Sequence, residues 1–513
     1  MGKNIVICCD GTGNQFGDRN SNVVKLYKTL VRDAAQIAYY HPGVGTMGAK
    51  NALTVGAKAW TKFRGLAFGY GLSENIADAY GFLMHTFEPG DKVFVFGFSR
   101  GGYIARALCG LLQMFGLLSP GNEGLIPYAI RLFKKGDGGA IGRIKGAPSK
   151  FTIAKGFKTT FCRECKPHFL GLWDTVSSVG WILDPIGLKQ GRLPYTFALK
   201  EVTIIRHAVS IDEKRAFFRQ NLVKEEAGRN IKQVWFAGVH SDVGGSYPES
   251  ESGLSKFSLR WMLDEARTGG LRIDASIVAK ALGADPAFVK PLASAVKHNS
   301  LTPAWWLGEF WPKWTKKLVS KPGEPVKFTG APRLNLFRPR FVPEGACVHE
   351  SVLNRKALVP DYKPRNLPSN FKIEPESSPS TYPKRLQAGE KAIIGVHARA
   401  KWNDTELQLL AGEEYLIEAT GRWHDASNAS GPGGYKSPSL LFRLAEIFRR
   451  VPNANWFALI AAIGQDESRA FVIGESSRLT VLKDGVMYCF ANDLRFLYCN
   501  NSGMVTITVT RLT

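Results

Sequence analysis

The stretch that most limits what this chain can fold into is Lys92–Gly102, KVFVFGFSRGG. An unbroken run of β-branched and aromatic residues needs cover on both faces, as in a strand inside a parallel sheet. The run stops at Gly97-Phe98-Ser99-Arg100-Gly101, and Tyr103–Phe115, rich in Ala and Leu, reads as a helix. A strand that passes into a helix around one serine makes a turn so tight that its neighbours must be small, which explains Gly97 and Gly101.

The surrounding chain repeats the strand–helix alternation. Residues 4–9 (NIVICC) form a second apolar run, followed by the polar glycine turn Asp10-Gly11-Thr12-Gly13-Asn14. Residues 21–38 carry Val23, Val24, Leu26, Tyr27 and Leu30 at helical spacing, and a strand around 37–41 leads into Gly43-Val44-Gly45-Thr46. Residues 74–87 read as helix, and 168–173 and 231–238 as strands. This order predicts an α/β-hydrolase-like, mostly parallel sheet with helices on both faces, over residues 1–370. Within it, 275–345 is less regular and holds the aromatic cluster Trp305, Trp306, Phe310, Trp311 and Trp314. Pro and Ser then accumulate, marking 371–389 as a linker. Residues 390–513 break into short alternating strands, the texture of an all-β sandwich.

Ser99 is placed where a nucleophile would stand, at the carboxyl end of a parallel strand. The backbone N–H of Arg100 would then be one oxyanion donor, and the glycine turn could supply another from Gly11 or Thr12. That turn fits neither a P-loop nor a dinucleotide fingerprint, so phosphate binding is the weaker reading of it. A serine nucleophile needs a base and an orienting carboxylate, in the chain order Ser, acid, His. Asp174 ends the apolar run Phe169–Trp173, and His240 follows the run Val234–Gly238. Both stand where strands yield to loops, on the side expected of Ser99. His207 is the rival base, but it lies within a strand-like stretch, where a lone histidine is usually structural. Asp212 and Asp242 are the rival acids.

The 67 Lys and Arg against 44 Asp and Glu leave a net charge of +23. That excess favours an anionic partner, whether a lipid surface, a nucleic acid or an acidic protein, and charge alone does not choose among them. Dispersed cations with no nucleic-acid motif speak against nucleic acid. Eight cysteines in 513 residues are no disulfide framework, and Cys162 and Cys165 form a CxxC with no second pair for zinc. No apolar run is long enough to span a bilayer, and the start lacks a signal peptide's apolar core. The expectation is a protein made in the cytoplasm, exported if at all by a signal-independent route, and able to sit peripherally on membrane.

Four segments in order resemble one family: ICCDGTGN, AYGFLMHTFEPGDKVFVFGFSRGGYIARAL, LGLWDTVSSVG and WFAGVHSDVGGSYPES. They are similar to the uncharacterised α/β-hydrolase domain family that includes the type VI secretion lipase effectors of the Tle1 type. That resemblance implies a Ser99, Asp174, His240 triad and a phospholipase acting on membrane glycerophospholipids. It also raises delivery and immunity partners, neither of which is visible in the chain. Beyond residue 390, Trp402, Gly421-Arg422-Trp423, Asn492-Asp493 and Asn500-Asn501-Ser502-Gly503 resemble the PA-I-like galactose-binding lectins. There the resemblance implies calcium on Asp493, Asn500 and Asn501, and a carbohydrate ligand. The lectins' sugar-contacting loop is replaced by Leu440–Arg450, whose apolar residues fall at helical spacing beside arginines. The leading expectation is therefore a serine esterase of the phospholipase kind, with no cofactor for catalysis. The alternatives are an esterase of acylated glycans, and a non-catalytic membrane- or glycan-binding protein.

Overall fold

The computed structural model describes residues 2–11, 17, 19–43, 72–134, 150–176, 196–216, 218–285, 287–310, 313–319, 327–376, 385–436, 446–464, 466–495 and 497–513. Thr12, most of Gly43–Thr46 and Leu440–Ala445 lie outside them.

Eight strands form one sheet: β1 (Asn4–Cys9), β2 (Gln36–His41), β3 (Lys92–Phe98), β4 (Pro167–Trp173), β5 (Ile204–Ser210), β6 (Asn230–Phe236), β7 (Ala346–His349) and β8 (Phe371–Glu374). Their order is β8-β7-β6-β5-β4-β3-β1-β2, and every pair is parallel. Parallel neighbours need crossovers, and the crossover helices bury both faces of the sheet. Helices α1 (Asn22–Thr29), α2 (Leu72–Thr86), α3 (Arg100–Phe115), α4 (Ile126–Lys134), α5 (Lys150–Phe161), α6 (His240–Gly244) and α7 (Ser255–Thr268) supply that cover. Ile5, Ile7, Val93 and Val95 face a core built with Ile76, Leu108, Ile130 and Phe157. Their alternates Val6, Cys8, Phe94, Phe96 and Phe98 face Leu26, Phe257 and Trp261. Period-two alternation along each strand thus divides the apolar residues between two cores.

Two expectations shift. Helix α1 ends at Thr29 because Leu30 turns extended and the Asp33 carboxylate caps the N–H groups of Ala35 and Gln36. The presumed linker begins too early, since Phe371–Glu374 pairs in parallel with β7 as the last strand of the sheet.

The C-terminal part is a β-sandwich of antiparallel sheets. One carries Lys391–His397, Asn501–Arg511, Glu414–Asp425, Asn428–Ser430 and Ser476–Thr480; the other carries Asn403–Leu409, Gly485–Ala491, Leu459–Ile463 and Ala470–Val472. Val396, Ile417, Trp423 and Val505 of the first meet Leu407, Leu459, Ala461 and Met487 of the second. In the described end of Leu440–Arg450, Glu446–Phe448 is a short 3-10 turn and both arginines are buried. Arg450 lies against Trp402 and Phe490 and pairs with Glu467 at 2.8 Å, so neither arginine offers a free basic face. No helix among the described residues is long and apolar enough to cross a membrane.

Candidate active site

The turn after β3 is as tight as its sequence requires. Ser99 has φ 57° and ψ −121°, a conformation that costs an L-residue on the order of 1–3 kcal/mol. Its N–H donates to the Trp173 carbonyl at 3.0 Å. A Cβ on Gly97 would stand 2.5 Å from the Gly101 carbonyl oxygen, and one on Gly101 would stand 2.2 Å from that of Cys9. Gly102 is equally constrained, because a Cβ there would meet Thr175 Oγ1 at 2.5 Å. Arg100 is the first residue of α3.

Gly11 does not have the expected orientation. Its N–H donates to Asp10 Oδ1 at 2.6 Å, which takes it out of an oxyanion-binding role. The buried Asp10 also accepts from Ser21 Oγ and Tyr40 OH, both at 2.8 Å, and so ties the end of β1 to the start of α1 and to β2.

Asp174 follows β4, the neighbour of β3, and is fully buried. His240 opens α6 after β6. Its Nδ1 lies 2.5 Å from Asp174 Oδ2. With the proton on Nδ1, Nε2 is left as an acceptor. The Phe98 ring, adjacent to Ser99, stacks on the imidazole at 4.7 Å, and the Phe218 ring meets it edge-on at 4.9 Å. Burial pushes the Asp174 carboxyl up, but the Arg340 charge and the bond from His240 outweigh it and hold it below the carboxylate range. Burial lowers His240, and Asp174 only partly restores it, so the imidazole stays neutral below its ordinary pKa.

The rivals serve elsewhere. His207 is buried within β5, accepts from Thr175 N–H at 3.3 Å and sits 3.2 Å from Gln233 Oε1. Asp212 accepts from Gly238 N–H and Tyr362 OH. Asp242 accepts from Val239 N–H and holds His298 Nδ1 at 2.6 Å, bracing α6 rather than the His240 ring.

Sequence patterns gave no sign of several contributors. Buried Arg340 contacts Asp174 directly. Glu213 accepts from His240 N–H at 3.2 Å and from Ser300 Oγ. Burial raises its carboxyl, but Arg215 outweighs that and brings it down to about 2. A cavity of about 290 Å³ beside Val239 is lined by Lys214, Lys297, His298 and Ser300, with Asp212 among them. Trp305 packs edge-on against Phe218, and beyond it lies an apolar rim. Trp306, Phe310 and Phe341 are 48%, 56% and 73% exposed, and the Phe337 ring touches both Trp306 and Phe310. The buried Glu309 carboxylate pins the rim by accepting from Ala216 and Phe337 N–H. Leu336 and Phe337 hold positive φ of 47° and 60° there.

In the β-sandwich, Asn501 Nδ2 donates to Asp493 Oδ2 at 3.0 Å and Asn500 Nδ2 to Asp425 Oδ1 at 3.1 Å. Burial, with Asp425 adding to it, raises the Asp493 carboxyl. Asn501 Oδ1 is buried and has no hydrogen-bond partner among the described residues. Two carboxylates and two amides that can turn oxygen inward, one of them carrying that orphaned oxygen, fit a hard cation such as calcium. The thiols of Cys162 and Cys165 are pushed up by burial to about 11 and about 12.

A doubly wound parallel sheet with a strained serine at the carboxyl end of a central strand defines an α/β-hydrolase-like protein. The family described as T6SS, Phospholipase effector Tle1-like, catalytic domain matches residues 3–265, just over half of the chain. The chain belongs to that family. An uncharacterized protein of Saccharomyces cerevisiae is 38% identical over 232 residues, which make up 43% of this chain but only 32% of that protein. The chain therefore spans about a third of that relative's length. Among solved structures, the Tle1 effector bound to the VgrG spike of the type 6 secretion system is similar at 16% identity. It covers 66% of this chain and 89% of that one, with a TM-score of 0.33. An uncharacterized protein from Pseudomonas aeruginosa is 20% identical over 54% of this chain and 47% of its own, at a TM-score of 0.31. The EclA N-terminal domain, a PllA-like lectin, is 22% identical over 23% of this chain and 94% of its own, at 0.19.

Proposed function

We propose that this member of the phospholipase effector family is a serine hydrolase that cleaves the acyl esters of membrane glycerophospholipids. The observation that carries the reading is the His240–Asp174 hydrogen bond of 2.5 Å, stacked on the residue next to the strained Ser99. His240 Nε2 takes the proton of Ser99 Oγ as that oxygen attacks the ester carbonyl. The tetrahedral oxyanion is met by the N–H of Arg100. Collapse expels the lysolipid alcohol, protonated by His240, and leaves an acyl-enzyme. Water deprotonated by the same imidazole then releases the fatty acid and restores Ser99. Asp174 keeps its charge throughout and holds the imidazole in one tautomer.

Substrate choice rests on the surroundings of the site. The exposed rim of Trp306, Phe310, Phe337 and Phe341 suits the interfacial zone of a bilayer, where aromatic rings settle. The net charge of +23 draws the chain to anionic lipid. The cavity with Lys214 and Lys297 suits a headgroup phosphate near the ester. Membership of a secretion-effector family extends the proposal to a delivery partner and an immunity partner. Asp493, Asn500 and Asn501, joined by Asp425, would hold calcium in the β-sandwich, where it would present sugar hydroxyls with a site. That arrangement favours, as a second reading, an esterase guided to acylated glycans.

The test is fatty-acid release from mixed phospholipid vesicles by the wild type and by Ser99→Ala, with and without calcium. Release by the wild type alone is expected. Equal release by both proteins would overturn the assignment, and release only from acylated glycans would favour the second reading.

A further inference from the structure

The family match ends at residue 265, yet the site does not. Arg340 is 2% exposed, and its guanidinium meets both oxygens of Asp174. Nη1 donates to Oδ1 at 2.5 Å and Nη2 to Oδ2 at 3.0 Å. Its other donors are also engaged: Nη1 reaches Ser210 Oγ at 2.8 Å, and Nε reaches the Phe218 carbonyl at 3.0 Å. Phe218 is the residue whose ring stands edge-on to His240. One planar fork therefore fixes the carboxylate that orients the imidazole and the backbone of the ring that bounds it. The Arg340 main chain is held in turn, because Asn366 Nδ2 donates to both its carbonyl and that of Ile211.

A fully buried carboxylate settles its rotation about χ2 through the donors that the protein supplies. Here Ser210 N–H and the arginine fork on Oδ1, with Nη2 on Oδ2, leave Oδ2 one free direction, and His240 occupies it. A guanidinium suits this task better than an ammonium, because its two parallel N–H groups set the carboxylate plane as well as its charge. The neighbouring Glu213, which accepts from His240 N–H and pairs with Arg215, sets a second fixed charge beside His240.

We propose that Arg340, supplied by the segment beyond the family's matched region, is a positioning residue that fixes Asp174 and thereby the orientation and basicity of His240. The inference rests on the proposed roles of Asp174 and His240. Without Arg340 the carboxylate turns more freely, and its negative charge acts on His240 uncompensated, which makes the imidazole more basic. Chemistry should then slow while binding of a small ester stays unchanged.

The experiment follows p-nitrophenyl butyrate hydrolysis against pH for wild type, Arg340→Lys and Arg340→Met. It is paired with the far-downfield proton signal of the His240 Nδ1–H, which reports the same ionisation with no substrate present. For Arg340→Met, kcat should fall about 10–100-fold with KM nearly unchanged, and the acid limb should move up by about 0.5–1 pH unit. Arg340→Lys should keep the acid limb near its wild-type position and recover only part of kcat. Wild-type kcat and acid limb in Arg340→Met would overturn the inference, as would equal losses in both variants with the limb unmoved. Should Arg340→Met fail to fold, wild-type kcat in Arg340→Lys would overturn it and a partial loss with the limb retained would support it. A wild type that neither hydrolyses the ester nor labels at Ser99 with a fluorophosphonate would instead sink the esterase reading, and the proton signal would still decide the role of Arg340.

Discussion

Replacing Ser99 by glycine should stabilise the protein relative to Ser99→Ala, although both remove the candidate nucleophile. The backbone at Ser99, φ 57° and ψ −121°, is the mirror image of an ordinary extended conformation. Achiral glycine adopts it as readily as its mirror image, whereas any residue with a Cβ does not. Alanine keeps the Cβ and so keeps the strain, on the order of 1–3 kcal/mol. Glycine releases it but adds about 0.5–1 kcal/mol of unfolded-state entropy. The difference between the two variants is then about 0.5–2 kcal/mol in favour of glycine. An unfolding entropy of about 2.1 cal/mol/K per residue over roughly 370 residues gives about 0.8 kcal/mol/K. The expected separation in Tm is therefore only about 0.6–2.5 °C, small but resolvable by scanning calorimetry on matched samples. Urea unfolding gives the same comparison without heating. A Ser99→Gly protein no more stable than Ser99→Ala would mean that the turn is unstrained, and the argument from elbow geometry would fail.

Three further outcomes follow from other parts of the chain. Burial lowers both His207 and His349 to about 4, below the unfolded value of about 6.5. Their contribution to stability is thus present above pH ~6.5 and lost towards about 4, by about 3 kcal/mol for each histidine; a urea midpoint that stays flat over that interval would contradict it, and His207→Gln should flatten part of the slope. Calcium should raise the melting temperature of the wild type and not that of Asp493→Ala or Asn501→Ala, and an unchanged wild type in calcium titration would remove the cation site. Phe337→Ser combined with Trp306→Ser should weaken sedimentation with anionic vesicles about tenfold or more, given ~1–2 kcal/mol per aromatic removed from an apolar contact, while hydrolysis of a soluble ester is retained. Undiminished sedimentation would place membrane contact elsewhere.

What was legible in the sequence was what neighbouring residues decide among themselves. The run from Val93 to Gly102 specifies a strand, a turn and the start of a helix within ten positions. Asp174 and His240 could be found because a parallel sheet sends all its carboxyl ends to one side, so two strand ends 66 residues apart become neighbours by topology alone. Arg340 has no such rule behind it. It is one of 67 Lys and Arg residues, and nothing in FRPRF distinguishes the arginine that enters the core from the exposed Arg338 two positions earlier. The four-residue strand Phe371–Glu374 was hidden for a related reason: an edge strand pairs on one side only and tolerates the flanking Pro and Ser that mark a linker. The error at Gly11 came from within the loop itself, since a carboxylate one residue away captured an N–H that glycine-loop geometry alone would leave free. The candidate triad positions thus stand at strand ends that the sequence marks, whereas Arg340 reaches Asp174 from 166 residues away with no such mark. Substitutions near Ser99 should therefore act through geometry and those near Arg340 through the pH dependence, a division that separate rate and titration measurements on the two sets can expose.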